Sequence, residues 1–457
     1  MKRLRDAVSP QHDPEAGLSL IEIMVAMMIF SIITIGVAFT ISNTLVLTRD
    51  SQNRETAVNL ASQAIDLDRS FNDVQTIKVG TVDTSVGNTT YHVNTSGQWV
   101  ASGDNSTVCG TGGGILQFYR VTVRVTWDGQ STSTAPVYTD TVIAPNTRIN
   151  DPALGSILVG VTNSSGSGTS GVTVTVTSKT SGLAVPAPTT TDGSGCAFFF
   201  KVSPGSYTVA ISRTNSIDIS QRTAPTKDVT VKAGASAPAT FTYDAAATYP
   251  LKYAYNATKG PSPVLPTNLT ATFVNATTGA YTPLSPTNPI QLFPSTNGYS
   301  VLAGSYVGST GTSSPTCLSP DPAAWSTPNS SGAVGTAVVP SATTPGGTVS
   351  PAVNVGMGSI TVNNMVKNNY LTAVSRTPIA GSGDPGCAIG MSYSFPQMTN
   401  TTQMTIALPY GTWAIYQSST PGSTPLLGGV ATTNMTLQTA GSTNLLLGTA
   451  TLDPRGT

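Results

Sequence analysis

An uncharged apolar run near the N-terminus sets the first limit on the fold. Residues 23–48 carry no charged side chain, and Lys2, Arg3 and Arg5 precede them. A helix of these 26 residues would be about 39 Å long, whereas about 20 apolar residues suffice to cross a bilayer. The run is also too long for the apolar part of a cleaved secretory signal. The sequence therefore predicts one membrane-spanning helix, with its basic start on the cytoplasmic side.

One acidic residue, Glu22, stands at the start of this run, within "GLSLIEIMVAMMIF". A carboxylate inside hydrocarbon costs about 2.5–3.5 kcal/mol on insertion scales, so such a group normally has a partner. Two interpretations remain open. Either Glu22 lies at the level of the lipid headgroups, where water reaches it, or it pairs with a positive charge when the helix packs among others.

The stretch "GLSLIE" resembles the processing site of type IV pilins and type II secretion pseudopilins. In that family a membrane aspartyl peptidase, the prepilin peptidase, removes a short basic leader after a Gly, and the fifth mature residue is Glu. The resemblance covers about the first 70 residues. It implies cleavage between Gly17 and Leu18, methylation of the new N-terminus at Leu18, and pairing of Glu22 with the N-terminal amine of a neighbouring subunit.

The chain continues after the apolar run as a predicted amphipathic helix. Apolar residues recur there at steps of three and four: Ala57, Leu60, Ala64, Leu67 and Phe71. Such spacing places side chains on one helix face. We therefore expect one helix from about Leu20 to Phe71, half membrane anchor and half packed on a globular head. The alternative is the stalk helix of an ordinary single-pass protein.

Beyond residue 75 the composition favours strands. Charged residues make up only 9% of the chain, Gly and Pro number 44 and 32, and no Glu follows Glu55. Good helix formers are scarce, and runs of Thr, Val, Ser and Tyr between Gly and Pro are typical of short strands joined by turns. The expected fold class is α+β: a long N-terminal helix with a β-sheet head, followed by mainly-β sandwich domains.

Five segments follow from these patterns: a leader 1–17, a helix 18–74, a β head 75–150, a β-sandwich 151–246 and a β-rich domain 247–457. In the head, "FYRVTVRVTWDG" alternates Val with polar residues, as a half-buried strand does. After the turn at "DG", "VYTDTVIAP" is expected to return as its partner strand.

The predicted sandwich contains five strand candidates, "GVTVTVTS", "CAFFFKV", "SYTVAIS", "DVTVKAG" and "ATFTYDA", separated by turns at regular spacing. The stretch "TTTDGSGCAFFFKVSPGSYTVAIS" resembles carboxypeptidase-regulatory-like and collagen-adhesin B-type domains. The residues that carry this resemblance are Asp192, Gly195, Pro204, Gly205, Tyr207 and Val209. It implies a β-sandwich fold and says little about activity.

The last region has two features that bear on its organisation. The stretch "MTIALPYGTWAIYQ" echoes "FFKVSPGSYTVAIS" and suggests a second, degraded copy of the sandwich. The stretch "STPNSSGAVGTAVVPSATTPGGTVSP" is rich in Gly, Pro, Ser and Thr, which is typical of a long surface loop or of a linker. Both interpretations stay open.

Four cysteines allow two disulfides in three connectivities. Cys317 and Cys387 flank the Ser/Thr-rich stretch and are the predicted pair. Cys109 and Cys196 then remain, in separate predicted domains, and either pair or stay buried. No C-x-x-C motif is present, and we expect neither a metal site nor a cofactor.

These features favour a structural protein, a minor pilin of a type IV pilus-like filament. We expect a large β head at the tip, for adhesion or partner binding. The resemblance implies other pilin subunits, the prepilin peptidase and the inner-membrane assembly platform as partners. It also implies a single-pass plasma-membrane protein before assembly and a cell-surface protein afterwards. The alternative is a pseudopilin of a type II secretion or competence system, which shares the same assembly chemistry.

Other classes of function have less support. The only histidines are His12 and His92, and no Glu follows Glu55, so groups for general acid–base catalysis are scarce and no enzyme is expected. The formal net charge is zero, which provides no basic surface for nucleic acid. Aromatic residues in loops, such as Trp325 and Tyr299, are candidate contacts for a partner, unless they fill the core.

Overall fold

The computed structural model of the protein describes residues 20–71, 77–101, 109, 116–130, 134–144, 151–186, 190–258, 260–283, 288–308, 315–399, 402–444 and 448–455. The chain divides into two compact units. The first comprises Met1–Gln98 and Phe118–Thr147, and the second comprises Trp99–Gln117 and Arg148–Thr457. The predicted fold class is confirmed: one long N-terminal helix precedes many strands arranged in sheets.

The first unit is built from one helix and one four-stranded sheet. Its elements are α1 (Leu20–Ser70), β1 (Gly80–Val86), β2 (Thr89–Ala101), β3 (Leu116–Trp127) and β4 (Val137–Ile143). The strand order is β1-β2-β3-β4, and the pairs β1–β2 and β3–β4 are antiparallel. The single helix expected from Leu20 to Phe71 and the pairing of "FYRVTVRVTW" with "VYTDTVI" are both confirmed.

The head sheet follows the alternation of its sequence. Val121, Val123 and Val125 are fully buried, while the residues between them point to the other face. Gly97 of β2 lies against Tyr119 of β3, and a Cβ at this glycine would fall 1.9 Å from the tyrosine oxygen. Only glycine therefore fits at this position of the strand.

A β-sandwich begins the second unit. Its strands are β5 (Gly155–Thr162), β6 (Thr173–Ser178), β7 (Cys196–Val202), β8 (Gly205–Ser212), β9 (Ser216–Asp218), β10 (Thr226–Val231) and β11 (Ser236–Ala245). One sheet has the order β10-β8-β6 and the other β7-β5-β11-β9, with β5 and β11 parallel. All five predicted strands are confirmed. The inward residues of both sheets form one continuous apolar core.

One tight turn recurs three times in the second unit, at Asn163, Asp192 and Asn329. In each, the side-chain Oδ1 accepts from the backbone N–H groups two and four residues later, at 2.9–3.0 Å. Asp192 and Gly195 are the residues of the "TDGSG" turn. Gly195 adopts a φ of +80° and packs against Val161, so a side chain would not fit there. The Asx turn is therefore a local device that the chain reuses.

The rest of the second unit consists of short strands in five sheets. They are β12 (Ala247–Tyr249), β13 (Leu251–Tyr253), β14 (Ala271–Asn275), β15 (Gly279–Tyr281), β16 (Ile290–Leu292), β17 (Ser300–Ala303), β18 (Val353–Val355), β19 (Gly358–Val362), β20 (Tyr370–Ser375), β21 (Ser392–Ser394), β22 (Met404–Leu408), β23 (Gly411–Ser418), β24 (Met435–Leu437), β25 (Gly441–Asn444) and β26 (Thr449–Leu452). The sheet orders are β12-β16, β13-β18, β15-β14-β17, β22-β19-β24 and β21-β20-β23-β26-β25. Two short 3₁₀ helices span Pro322–Ala324 and Thr432–Asn434. Two apolar clusters form the core of this region.

The echo between the two sequence stretches has a local structural counterpart. The pair β7 and β8 passes through Pro204-Gly205 from one sheet of the sandwich to the other, and β22 and β23 pass through Pro409-Tyr410-Gly411 between their two sheets. The surrounding strand orders differ between the two regions. The similarity therefore extends over two strands and the turn that joins them.

Disulfides pair all four cysteines, and all four lie in the second unit. Cys317 is joined to Cys387, and Cys109 is joined to Cys196 at the start of β7. Trp99 also packs edge-on against Phe198 and Phe200, at 6.3 and 5.6 Å between ring centres. Trp99, near the end of β2, thus contributes an aromatic contact to β7, and Cys109 contributes a covalent bond to its first residue.

Candidate assembly segment and polar sites

The first half of α1 presents an apolar surface on all sides. From Leu20 to Leu47 its large apolar side chains are exposed, and by length and composition this part can cross a membrane. Six hydroxyl groups interrupt the surface between Leu20 and Thr48, and five of them donate to the carbonyl oxygen four residues earlier at 2.7–2.9 Å. These five belong to Ser31, Thr34, Thr40, Thr44 and Thr48. The five groups therefore have partners inside the helix and need none from lipid or water.

Glu22 lies in the first described turn of α1, and its side chain is exposed. Gly17 and Leu18, the other two predicted assembly residues, lie outside the described residues. Among the described residues, the side chains next to Glu22 and one turn after it are apolar. A carboxylate in this position can gain a partner from another chain when the apolar surface becomes covered.

The second half of α1 packs on the head sheet, and its buried face matches the predicted one only in part, since Ala57 is buried as predicted. Ala57, Ala61, Ile65 and Asp68 are buried, whereas Leu67 is 59% exposed. The prediction of Leu67 on the packed face is therefore wrong. Small residues allow the helix to approach the sheet closely, so the buried face runs through the alanines and not through the leucines.

Polar side chains tie the same half of the helix to the sheet. Arg69 donates through Nε and Nη2 to the Thr141 hydroxyl of β4, at 2.9 and 2.6 Å. The Tyr91 hydroxyl of β2 donates to Asn53 Oδ1 at 3.1 Å. These bonds define the position of the helix on the sheet at both ends of their contact.

Asp68 is a buried carboxyl group in this interface, with 6% of its surface exposed. Its Oδ2 atom has no hydrogen-bond partner among the described residues. Burial raises the pKa of this carboxyl group from 3.8 to about 6. The ionised form is therefore costly, and at neutral pH the folded unit carries that cost.

Replacing Asp68 by Asn is expected to stabilise the protein at neutral pH. Because the folded-state pKa is raised, ionisation destabilises the fold: the cost is complete above about pH 6, falls with decreasing pH and is absent below the ordinary pKa of 3.8. We expect the free energy of unfolding to rise by about 1–3 kcal/mol near pH 7.5. Denaturant unfolding of the variant measures this gain.

The matched control is Asp66→Asn, because Asp66 is exposed on the same helix. Its effect should stay within about 0.5 kcal/mol. At about pH 4 the gain from Asp68→Asn should largely disappear. An equal gain at both pH values would contradict the assigned cause.

His92 lies on the other face of the head sheet, between two carboxylates. Its Nδ1 is 2.7 Å from Asp83 Oδ1 and its Nε2 is 3.2 Å from Asp128 Oδ1. The hydrogen bond to Asp83, followed by that to Asp128, raises the pKa of the imidazole. His92 and Asp83 face each other across β1 and β2. Such exposed cross-strand pairs stabilise a sheet modestly. In the described residues no group of three or more metal-ligating side chains could hold a metal ion.

Trp325 and Tyr299 are fully buried, so their interpretation as partner contacts is wrong. Trp325 Nε1 donates to the Ser319 carbonyl at 2.9 Å. The Tyr299 hydroxyl accepts from Gln221 Nε2 at 2.9 Å and donates to the Phe293 carbonyl at 3.0 Å. Each ring fills the core while its polar atom finds a partner, the usual arrangement for a buried Trp or Tyr.

A buried charged cluster near the C-terminus was not apparent in the sequence. Arg455 is 3% exposed, and its Nε and Nη2 donate to the Asp453 carboxylate at 2.6–3.1 Å. Its guanidinium also donates to the carbonyls of Thr327 and Ser382 and lies 5.2 Å from the Trp325 ring centre. "DPRGT" at the end of the sequence contains Asp453 and Arg455 but does not signal their burial, because the other partners, Thr327 and Ser382, are more than 70 positions away.

The Ser/Thr-rich stretch 326–351 is a surface segment of this region and not a linker. Its residues are mostly exposed and contain no strand. It is nevertheless hydrogen-bonded to the domain: Gly335 donates to Trp325, Ser300 donates to Val338, and Tyr299 and Ser341 exchange two backbone bonds.

Comparison with protein families identifies the N-terminal segment. Residues 13–38 match the family described as the prokaryotic N-terminal methylation motif. This chain carries a prepilin motif. The match covers Gly17, Leu18 and Glu22, the residues that the sequence singled out, together with the first turns of α1. The prepilin motif and the exposed apolar half of α1 together indicate membrane anchoring before assembly into a surface filament, and make the protein pilin-like.

Solved structures similar to this chain share little sequence with it. The Bacillus anthracis TIE protein is 12% identical, with 75% of this chain and 68% of that chain covered and a TM-score of 0.20. A streptococcal ancillary pilin is 10% identical (71% and 73% covered, TM-score 0.18). BcpA, the major pilin subunit of Bacillus cereus, is 10% identical (60% and 91% covered, TM-score 0.18). At these TM-scores the similarities support no argument about this chain. No curated protein sequence matches it.

Proposed function

We propose that the protein is a minor pilin of a type IV pilus-like filament. It is cleaved after Gly17, methylated at Leu18, and assembled through the N-terminal half of α1. Its partners are other pilin subunits, the prepilin peptidase and an inner-membrane assembly platform. Before assembly it is a single-pass protein of the plasma membrane, and afterwards its β domains lie at the cell surface.

The observation that carries this proposal is the combination of the prepilin motif with an apolar helix surface that no described part of the chain covers. The large apolar side chains from Leu20 to Leu47 are exposed over more than 40% of their surface. Such a surface is stable in a bilayer, and it is equally stable among other helices of the same kind. Transfer from lipid to a filament therefore requires no net burial of polar groups apart from Glu22.

Glu22 gives the transfer its direction. In the filament its carboxylate lies opposite the N-terminal amine of Leu18 on a neighbouring subunit, and the two charges satisfy each other in a medium of low polarity. A charge pair removed from water adds little net stability, but an unpaired member is strongly disfavoured. The pairing therefore selects one register of subunit against subunit, which ordered assembly requires.

The size of the β domains favours a rare subunit at the tip. The second unit contains about 310 residues after position 147, whereas single domains have about 100–150 residues. A head this bulky is difficult to repeat at every position of a closely packed shaft. At the tip the same domains are free to contact a surface or a partner. Their two disulfides and the low share of charged residues, 9% of the chain, are in keeping with a location outside the cell.

The N-terminus of the mature protein tests this proposal. Mass spectrometry of the N-terminal peptide, from protein taken from the membranes of its host, should show a start at Leu18 with an added methyl group. Gly17→Val should block cleavage and leave Met1 in place, because the peptidase requires a small residue there. Ala16→Val, the same change one residue earlier, is the control and should still be cleaved. Wild-type protein that retains its first 17 residues would overturn the assignment.

A further inference from the structure

A cleft in the C-terminal region lies apart from the helix that the proposed assembly uses. It has a volume of about 680 Å³, within the range of about 300–1,000 Å³ that is usual for ligand sites. Its walls include Tyr255, the segment 334–342 and the segment 349–356, which contains β18. All of these are described parts of the second unit.

Both long walls of the cleft are held to the domain by hydrogen bonds. Ser341 exchanges two backbone bonds with Tyr299, each 2.9 Å long, and the Val338 carbonyl accepts from the Ser300 hydroxyl at 2.7 Å. On the other side, β18 pairs in parallel with β13. The cleft is therefore formed before a ligand arrives, and binding pays little for ordering the chain.

An exposed aromatic ring lines this cleft. Tyr255 is 46% exposed, and the residue after it fixes the local backbone. Asn256 Nδ2 donates to the Met357 carbonyl at 2.9 Å, and Asn256 Oδ1 accepts from the Met357 N–H at 3.0 Å. The ring is thus presented from a fixed point while its surface stays available. A tyrosine in this setting offers a flat apolar face and a hydroxyl at its edge.

The exposed polar side chains of the lining are available for a ligand. They belong to Tyr255, Thr336, Ser350 and Asn354, and none of them has a hydrogen-bond partner among the described residues. Each hydroxyl can donate and accept, and the amide has two donors and one acceptor. A ligand rich in hydroxyl groups can therefore take the place of water here and leave no polar group unpaired.

The lining also restricts the ligand by charge. No Asp, Glu, Lys, Arg or His is among the described residues that line the cleft. Lys252 pairs with Asn354 across β13 and β18 but is not part of the lining. A charged ligand would lose its hydration without gaining an opposite charge from the walls, which is unfavourable. The cleft therefore suits a neutral ligand that combines apolar faces with hydroxyl groups.

We propose that this cleft binds a neutral saccharide. A pyranose ring has C–H groups on its face and hydroxyl groups around its edge. The C–H groups pack on the ring of Tyr255, and the hydroxyl groups bond to Asn354 and to the hydroxyls of the walls. An added peptide strand fits less well, because the neighbouring strand β17 is already covered by the segment 334–341 and its Val301 is 1% exposed.

Saturation-transfer difference NMR tests the proposal on the full chain, held through α1 in phosphatidylcholine nanodiscs so that no sugar-based detergent is present. The probes are the methyl glycosides of glucose, galactose, mannose and N-acetylglucosamine, each titrated up to about 10 mM. We expect saturable transfer to at least one of them, strongest on the C–H protons of one ring face. Methyl glucuronide has the ring of methyl glucoside with an added carboxylate. It should bind at least about tenfold more weakly than the best neutral probe.

Variants of exposed residues assign the binding to the cleft. Tyr255→Ala removes the ring and should weaken binding at least about tenfold, whereas Tyr255→Phe keeps the ring and should weaken it less than about threefold. Asn354→Ala removes the amide and should weaken binding about threefold to tenfold. Tyr138→Ala is the matched control, because Tyr138 is 60% exposed but does not line the cleft. It should change binding by less than about twofold. Because all three side chains are exposed, the thermal unfolding of each variant should match that of the original protein.

Several results would overturn the proposal. They are absence of saturation transfer to all of the glycosides, unchanged binding in Tyr255→Ala, and equal losses in Tyr255→Ala and Tyr138→Ala. Tighter binding of methyl glucuronide than of any neutral probe would assign the cleft to acidic ligands that Lys252 attracts. Binding of the neutral peptide acetyl-Gly-Val-Thr-Val-Gly-amide in place of the glycosides would assign it to protein segments. A saccharide site would supply the ligand chemistry for adhesion at the proposed tip. None of these results depends on cleavage at Gly17, so the proposal fails or stands separately from the pilin assignment.

Discussion

Replacement of Glu22 by Ala is expected to abolish incorporation of the protein into filaments while its insertion into the membrane stays normal. Removing one partner of a buried charge pair costs about 3–5 kcal/mol, because the other charge is left unpaired. In the proposed filament that charge is the N-terminal amine on Leu18 of a neighbour. The cost corresponds to at least about a hundredfold loss in the affinity of one subunit for the next.

Membrane insertion should not suffer, because the variant helix is more apolar than the original. A carboxylate near the hydrocarbon costs about 2.5–3.5 kcal/mol, so its removal makes residence in the bilayer more favourable. The variant should therefore accumulate in the membrane. Quantitative immunoblots of sheared filaments and of membranes measure the two populations.

The matched control is Glu55→Ala, which removes a carboxylate from the exposed, water-facing half of the same helix. It should leave incorporation unchanged. Glu22→Gln separates charge from shape, since the amide keeps the size and loses the charge, and it should behave like the Ala variant. Normal incorporation of Glu22→Ala would remove the proposed role of the carboxylate, whereas loss with both Glu22→Ala and Glu55→Ala would point to a general defect of the helix.

The second large effect concerns the buried cluster at the end of the chain. Replacement of Arg455 by Met should lower the free energy of unfolding by about 3–5 kcal/mol, because Asp453 would keep a charge with no opposite charge beside it. Asp453 and Arg455 are 8% and 3% exposed, so water cannot replace the arginine as the hydrogen-bond partner of the Asp453 carboxylate. The carbonyls of Thr327 and Ser382 would also lose their donor.

A second arginine provides the control for this change. Arg376 also lies over an aromatic ring, with its guanidinium 5.9 Å from the Tyr416 ring centre, but its side chain is exposed. Arg376→Met should cost less than about 1 kcal/mol. The double variant Asp453→Asn with Arg455→Met should recover part of the lost stability, because it no longer contains an unpaired charge.

Denaturant unfolding followed by tryptophan fluorescence measures these changes, since Trp325 is in contact with the arginine. A loss below about 1 kcal/mol for Arg455→Met would contradict a structural role of the cluster. So would equal losses for the two arginine variants. A double variant less stable than Arg455→Met would contradict the unpaired charge as the cause.

Helices and strands whose pattern lies within one short stretch of sequence could be predicted well. The helix from Leu20, the alternation in β3 and the five sandwich strands each have a period of 3.6 or 2 within one short stretch. The prepilin motif is local in the same sense, since its Gly and Glu lie five positions apart. For such features the chain needs no information from a distant segment.

The packed face of α1 shows where local periodicity became insufficient. Several faces of residues 54–71 contain apolar side chains, and the spacing of Ala57, Leu60, Ala64, Leu67 and Phe71 favoured one of them. The buried face keeps Ala57 but continues through Ala61 and Ile65, because small side chains permit closer contact with the sheet. This face also buries the carboxyl group of Asp68, which costs free energy of folding. Helix propensities of single residues do not predict such a burial.

By itself, the sequence determined the long apolar helix, the prepilin motif, the α+β class and the positions of most long strands, because each rests on residues close together in the chain. Only the tertiary structure decided the partner of Cys196 and the burial of Trp325, Tyr299 and Arg455. Those features arise where segments separated by tens of residues meet, and contacts over such distances leave no periodic trace in either segment.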